Sequence, residues 1–92
     1  MSRRELIVSG PTDDPRVAEQ VDAVRGDPNG ASERELDVAR RESETFGVEL
    51  RGKDGQVRAR WGDTVGVSEL WARIDAFPSR RRVLRDQRSG PV

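Results

Sequence analysis

The stretch RELIVSGPTDDPR, residues 4–16, gives the strongest indication of the fold class. Its core, LIV at residues 6–8, is apolar on both faces of an extended chain, which is typical of a strand at the centre of a sheet. A Gly-Pro turn ends the strand, and Asp13 or Asp14 can then cap a helix that has Pro15 in its first turn, where the missing N–H costs nothing. A buried strand that leads directly into a capped helix predicts an α/β unit.

The pattern downstream continues this unit. Val17, Val21 and Val24 form one apolar stripe on an otherwise polar helix. The sequence GDPNG, residues 26–30, is typical of a turn. RELDVA, residues 34–39, alternates polar and apolar side chains and predicts a second strand with one solvated face.

A hairpin and two helices follow. Residues 46–52 and 57–61 each alternate in polarity, and KDGQ at residues 53–56 joins them with an Asp-Gly pair, a strong hairpin signal. Apolar residues at helical spacing predict a helix over residues 68–77, and RRRVLRDQ predicts a second short helix over residues 80–87.

The predicted order of elements is β-α-β-β-β-α. A strand–helix–strand start implies a parallel pair of strands, and the hairpin then adds antiparallel strands to give a mixed four-stranded sheet with C-terminal helices. We expect a single domain over residues 1–88 and a disordered tail at residues 89–92. Trp61 and Trp71 are in phase with the buried positions of their elements and are expected in the core.

The composition limits the function classes. Of the 92 residues 33% are apolar and 37% are charged, so the core is small and burial of further surface in an oligomer would stabilise it. The net charge is zero, so no global field attracts nucleic acid or a membrane surface. The charge is nevertheless uneven, because residues 1–78 hold 12 basic and 16 acidic groups whereas residues 79–92 hold 5 basic and 1 acidic.

Cysteine and histidine are both absent from the chain. Without cysteine the chain has no thiol redox chemistry, disulfide or thiolate metal site, and without histidine it lacks the commonest metal ligand and general base. We therefore expect no cofactor and no metal. No apolar run is long enough to cross a membrane, and we expect no signal peptide before the first strand. The expected location is cytoplasmic by default, or exported if the chain is a mature fragment.

Four segments, in this order, carry a resemblance: LIVSGPTDDPR, ERELDV, GVELRGKDGQVRAR and ELWARIDAFPSRRR. Together they resemble the thioredoxin-like domain of unknown function found in bacterial exported proteins and in vertebrate sushi-repeat and coiled-coil-domain matrix proteins. The resemblance spans residues 4–85 and implies a reduced thioredoxin-like fold. In redox-active thioredoxin-like proteins the turn after the first strand carries the reactive cysteine, whereas this chain has GPTDDP there.

The chain departs from that family in two places. Family members have a longer segment between the second strand and the hairpin, often with a helix, where this chain has only RRESET at residues 40–45. The family also often has Met beside the proline after the last long helix, where this chain has AFPSRRR. The first departure removes whatever a helix at that point would line.

The turn after the first strand is also the first candidate site. A helix N-terminus with a hydroxyl and a guanidinium is suited to an anion, although two carboxylates would repel one. An N-cap residue, with negative charges that interact favourably with the helix dipole, accounts for the presence of the same residues without a ligand. The ligand-binding candidates are Thr12, Asp13, Asp14, Arg16 and Lys53.

A second candidate is the basic segment near the C-terminus. Its arginines would spread around a helix and could contact phosphates or an acidic partner, but no aromatic residue is interleaved for base stacking. The residues of this basic patch are Arg80, Arg81, Arg82 and Arg85.

Three functions remain open at this stage. The first, which we favour, is a non-enzymatic interaction module that binds a protein partner or itself through open sheet edges. The second is a small-ligand or anion-binding module, with or without catalysis, at the turn after the first strand. The third is weak nucleic-acid binding through the basic patch.

Overall fold

The structure, a computed structural model, describes residues 3–77, which form four strands and three helices. In chain order these are β1 (Arg4–Gly10), α1 (Pro15–Arg25), α2 (Pro28–Glu33), β2 (Leu36–Glu42), β3 (Gly47–Arg51), β4 (Val57–Trp61) and α3 (Val67–Asp75). The predicted α/β class is therefore confirmed.

The four strands form one mixed sheet in the order β2-β1-β3-β4. β1 pairs in parallel with β2 and antiparallel with β3, and β3 pairs antiparallel with β4. The apolar strand thus lies inside the sheet, and the alternating strands form a hairpin beside it. Both features confirm the sequence-based predictions.

Helix α1 begins as its sequence predicts. Asp14 is the N-cap, and its carboxylate accepts a hydrogen bond from the backbone N–H of Arg16 at 2.9 Å. Pro15 occupies the first turn, where its lack of an N–H leaves no hydrogen bond unmade. The helix ends at Gly26.

The prediction that residues 26–30 form only a turn was wrong, because helix α2 begins at Pro28. Asp27 caps this helix by accepting a hydrogen bond from the Gly30 N–H at 3.1 Å, and it also accepts one from the Trp71 indole N–H at 2.8 Å. A Cβ at Gly30 would lie 2.8 Å from the indole nitrogen. Glycine is therefore present because the Asp27 carboxylate and the Trp71 indole pack against its Cα, and not because a turn requires it.

Strand β2 is also longer than predicted. The alternation of polarity ends at Ala39, but the ladder with β1 continues to the Gly10–Glu42 pair. The additional residues are Arg40, Arg41 and Glu42, whose side chains are exposed. An edge strand can end in charged side chains because only its backbone must be paired.

The core lies on one face of the sheet. The helices α1 and α3 bury their apolar side chains there, against alternate residues of β1, β2 and β3. Trp71 belongs to this cluster and Trp61 packs against it, as predicted. The buried members are Leu6, Val8, Val17, Val21, Val24, Leu36, Phe46, Val48, Leu50, Val65, Leu70, Trp71 and Ile74.

The opposite face of the sheet is polar. Ile7 is the apolar residue at its centre, and it lies across from Glu49 of β3. The Glu49 carboxylate bridges two guanidinium groups, with Arg51 Nε at 2.7 Å and Arg60 Nε at 3.2 Å. Charged side chains thus surround the apolar centre of this face.

Several predictions lie outside the described residues. They are the short helix at residues 80–87, the tail at residues 89–92 and the domain boundary at residue 88. Within residues 3–77, none of the helices has the length and hydropathy needed to cross a bilayer.

Candidate functional site

The turn after β1 lies at one end of the sheet. The carboxyl ends of the parallel strands β1 and β2 meet here, next to the start of α1. The backbone N–H of Asp14 donates to the carbonyl of Pro11 at 3.0 Å, which closes the turn before the helix. Ligand sites in open α/β sheets are commonly found at this end of the strands.

The structure joins two of the candidate residues directly. Arg16 Nε and Nη2 donate to Asp14 Oδ1 and Oδ2 at 3.2 and 2.9 Å, a bidentate ion pair. The hydrogen bond from the Arg16 guanidinium holds the pKa of the Asp14 carboxyl below its usual value, and the Arg16 backbone N–H lowers that pKa further. The cation that would have bound an anion is therefore already paired within the chain.

The Arg16 guanidinium has two further neighbours. Its Cζ lies 4.5 Å from the centroid of the Phe46 ring, and its Nη1 lies 3.8 Å from Asp63 Oδ1. The ring face and the flanking carboxylates fix the direction of the guanidinium. Arg16 consequently links α1 to the segments before β3 and after β4.

The other two residues of this turn, Thr12 and Asp13, are exposed. They line an open groove of about 520 Å³ together with Glu42 and Glu44. The carboxylates in this groove give it a negative potential, which opposes the binding of an anion.

A second groove of about 270 Å³ lies beside the first and has a different charge. Thr12 and Glu42 line both grooves, and the second adds Arg40 and Arg41. Arg41 Nε donates to the Ser9 hydroxyl at 3.1 Å, whereas the side chain of Arg40 makes no ion pair with any residue between 3 and 77. Arg40 is therefore available to an external acceptor.

Sequence reasoning missed Arg40 and Arg41 as members of this end of the sheet. It ended the second strand at Ala39, so both arginines were expected in the polar segment that follows. The available signal was the parallel pairing itself, because the carboxyl ends of two parallel strands reach the same edge. A second strand as long as the first brings these arginines next to Thr12.

The structure does not bring Lys53 to this site. Lys53 lies in the turn between β3 and β4, at the end of the sheet where β1 begins. Its ammonium pairs with the Glu35 carboxylate, and this contact lowers the pKa of Glu35. Lys53 therefore has a partner of its own and lies away from the other candidates.

The remaining candidates are the residues of the basic patch, which lie outside the described residues: Arg80, Arg81, Arg82 and Arg85. In the range 3–77, no three acidic side chains converge closely enough to hold a metal ion.

The geometry leaves a site with mixed charge. Its two open grooves lie side by side, one lined mainly by carboxylates and the other by two guanidiniums, and they share the Thr12 hydroxyl. Such a surface can form hydrogen bonds and ion pairs, but no nucleophile paired with a base is present in it. No known protein-family model matches the chain, and no match was found among curated proteins.

Proposed function

We propose that this protein is a non-enzymatic interaction module with a thioredoxin-like arrangement of strands, and that it binds protein rather than a small molecule. The observation that carries this proposal is the pair of open sheet edges. β2 and β4 each have a single neighbouring strand among the residues described. Open edges bind other chains by adding a strand, because their backbone N–H and C=O groups have no partners.

The one-sided core also supports the proposal. A parallel pair such as β1 and β2 is usually covered on both faces, but here the helices of residues 3–77 bury their apolar side chains on one. The resemblance to thioredoxin-like domains implies a helix where this chain has the short segment 40–45. In the absence of such a helix, the polar face of the sheet and the β2 edge stay open among residues 3–77.

The state of the candidate turn argues against a small-ligand site. Asp14 caps α1 and pairs with Arg16, and Arg16 packs over Phe46, so both charged groups have structural roles. The acidic groove beside the turn is open to solvent and would repel an anion. Acid–base catalysis by a carboxyl is helped by a raised pKa, whereas hydrogen bonds lower the pKa values of Asp14, Asp27, Glu35 and Glu49.

One observation favours a second candidate function, anion binding in the smaller groove. Arg40 carries a guanidinium without an ion-pair partner in the described chain, and Thr12 offers a hydroxyl beside it. A phosphate or carboxylate group could bind between them. The neighbouring Glu42 would weaken such a site.

A thermal-unfolding screen tests both candidates. The protein is melted over a wide range of protein concentrations, and separately with phosphate, nucleotides, sugars, divalent cations and short DNA. A ligand at about 100 times its Kd adds roughly 2.7 kcal/mol of stability, which is readily visible for a small domain. The DNA arm also tests the basic patch predicted from the sequence.

The outcomes separate the candidates. A Tm that rises with phosphate, and no longer does so in the Arg40→Ala variant, would replace our proposal with the anion-binding function. A Tm that none of the small molecules changes supports the interaction module. If this Tm also rises with protein concentration, the partner is another copy of the chain, and if it stays constant the partner is a different protein.

A further inference from the structure

We infer that two copies of this chain pair antiparallel through their β2 edges, so that two four-stranded sheets become one continuous sheet. This inference rests on the proposed interaction function and names its partner and its surface. It follows from the direction of the backbone groups in β2 and from the order of charges along the strand.

The backbone directions come from the first and last hydrogen bonds of the ladder between β1 and β2. Arg4 N donates to the Glu35 carbonyl at 2.9 Å, and Ser43 N donates to the Gly10 carbonyl at 3.0 Å. Because successive residues of a strand point their N–H and C=O groups to opposite sides, the odd-numbered residues of β2 face β1. The residues whose backbone groups face outward are Leu36, Val38, Arg40 and Glu42.

An outward row of this kind can pair with itself around a two-fold axis. The pairing that uses all seven residues of β2 is centred on Ala39. It sets Val38 opposite Arg40 of the second copy, and both residues have outward backbone groups, so they exchange two hydrogen bonds. In this register the outward backbone N–H and C=O groups are therefore hydrogen-bonded along the whole of β2.

The charges favour this register. Asp37 lies opposite Arg41 of the second copy, and by symmetry Arg41 lies opposite that copy's Asp37. These are non-hydrogen-bonded pairs, in which side chains on neighbouring strands approach most closely. Among residues 3–77, Arg3 contacts only Oδ2 of Asp37, so Oδ1 can accept a further bond, and Arg41 uses only Nε, toward Ser9, so its terminal nitrogens can donate.

The neighbouring registers lack this complementarity. A pairing centred on Val38 sets Asp37 opposite Ala39, and a pairing centred on Arg40 sets two arginines against each other. Each of these registers also leaves part of the strand unpaired. The order of charges in LDVARRE thus selects the register centred on Ala39.

The other edge of the sheet is unsuited to the same pairing. β4 reads VRARW, and its antiparallel self-pairings centred on Arg58, Ala59 or Arg60 all place arginine opposite arginine. Like charges directly opposite each other destabilise a strand pair. The self-association surface is therefore β2 and not β4.

A groove beside β2 can receive the C-terminal end of β2 from the second copy. In the register centred on Ala39, Glu42 of the second copy lies opposite Leu36, on the side of the sheet that carries the core. Leu36 lines an open groove of about 320 Å³ whose rim includes Arg3 and Arg25. The Arg25 guanidinium can pair with that glutamate, which adds a second complementary contact.

Because the wild-type chain contains no cysteine, single-cysteine variants test the register. In the Ala39→Cys variant the two thiols would lie on facing residues about 4.5 Å apart at Cα, within the range of a disulfide. In the Val38→Cys and Arg40→Cys variants the thiols would be offset by two residues, beyond about 7 Å, and would not bridge. We expect rapid disulfide-linked dimer for Ala39→Cys alone on mild oxidation, measured on non-reducing gels.

A charge swap tests the contacts without a covalent bond. Asp37→Arg and Arg41→Asp should each weaken the dimer Kd by roughly tenfold or more, because the symmetric contact is changed twice. The double variant restores opposite charges and should return the Kd to within a few-fold of wild type. Arg58→Asp on the β4 edge is the matched control and should leave the Kd unchanged, as measured by sedimentation equilibrium.

Two results would overturn the inference. One is a wild-type chain that stays monomeric at every concentration measured. The other is a dimer in which Ala39→Cys crosslinks no faster than its two neighbours. Either result leaves the interaction module intact with a different protein as partner, whereas a phosphate-induced shift that Arg40→Ala abolishes refutes the module itself.

Discussion

The side-chain amide of Gln20 and the backbone of Val65 exchange two hydrogen bonds. Gln20 Nε2 donates to the Val65 carbonyl at 3.0 Å, and the Val65 N–H donates to Gln20 Oε1 at 2.7 Å. Gln20 is only 1% exposed, so these bonds lie in the interior. The two hydrogen bonds hold the loop that precedes α3 against the buried side of α1, and they therefore position the start of α3.

The Gln20→Ala variant tests the importance of this contact. Truncation leaves a buried N–H and a buried C=O without partners, which costs about 1–3 kcal/mol for each group. We therefore expect the free energy of unfolding to fall by about 3 kcal/mol, measured by urea denaturation. The matched control is Glu19→Ala, one residue earlier on the exposed side of α1, which should change stability by less than about 0.5 kcal/mol.

The packing of the Trp71 indole against Gly30 gives a second prediction. A Cβ at Gly30 would lie 2.8 Å from Trp71 Nε1, so Gly30→Ala must displace the indole or the capping carboxylate of Asp27. We expect a loss of about 1–3 kcal/mol and a changed tryptophan emission spectrum. Gly62→Ala is the control, because a Cβ at Gly62 meets no atom within 4 Å. Equal stability of the two variants would contradict the packing described here.

The pairing of Arg16 with Asp14 gives a third prediction. Arg16→Ala removes the main cause of the lowered pKa of Asp14, so this pKa should rise toward its usual value, as followed by carboxyl NMR. The Tm should fall, because the contact between the guanidinium and Phe46 is lost as well. Arg16→Lys keeps the charge but not the bidentate geometry, so its Asp14 pKa and its Tm should lie between those of the wild type and Arg16→Ala. An unchanged Asp14 pKa in Arg16→Ala would refute the assignment.

The pH dependence of stability gives a fourth prediction. Four of the carboxyls in residues 3–77 have pKa values that folding lowers, each with a different principal donor: Asp14 with Arg16, Asp27 with the Trp71 indole, Glu35 with Lys53 and Glu49 with Arg51. When folding lowers a pKa, the stabilisation is present above the unfolded-state value and disappears as the pH falls through the folded value. Stability should therefore be constant near neutrality and decrease below about pH 4.

Urea denaturation over a series of pH values measures this decrease. The Glu49→Gln variant removes one of the four groups while leaving a side chain of the same shape, so its stability should decrease less steeply between neutral and acid pH. A wild-type stability that rises on acidification would have the wrong sign for all four carboxyls.

The elements that local chemistry controls could be predicted from the sequence. The apolar run LIV predicts the inner strand, the Asp-Pro pair predicts the start of α1, and the Asp-Gly pair predicts the hairpin. Helix α2 was missed although Asp27 and Pro28 repeat the Asp-Pro signal that begins α1, because the Asn and Gly residues that follow are turn formers. The contact of the Trp71 indole with the capping carboxylate of Asp27 supports the helix from a distant part of the chain, and no local pattern predicts that contact.

The candidate site was predictable to a similar degree. The spacing of Asp14 and Arg16 identified them as neighbours, but it could not show that they bind each other in place of a ligand. Arg40 and Arg41 were missed because their position depends on the length of a parallel ladder, and their charged side chains show no alternation. Polarity patterns predict which side chains are buried, whereas the positions of Arg40 and Arg41 follow only from the backbone pairing of β2 with β1.

The inner position of β1 has a consequence for how the chain folds. The hairpin of β3 and β4 joins residues that are close in sequence, whereas the ladders of β1 join Arg4 with Leu36 and Glu5 with Arg51. Long-range ladders form slowly because a large loop must close before any of their bonds is made. We therefore expect the hairpin to form early and the first strand to be incorporated late. Until β1 is incorporated, the LIV segment, which is the most apolar of the chain, is exposed to other unfolded chains. We therefore expect aggregation during folding to begin at the N-terminal part of the protein.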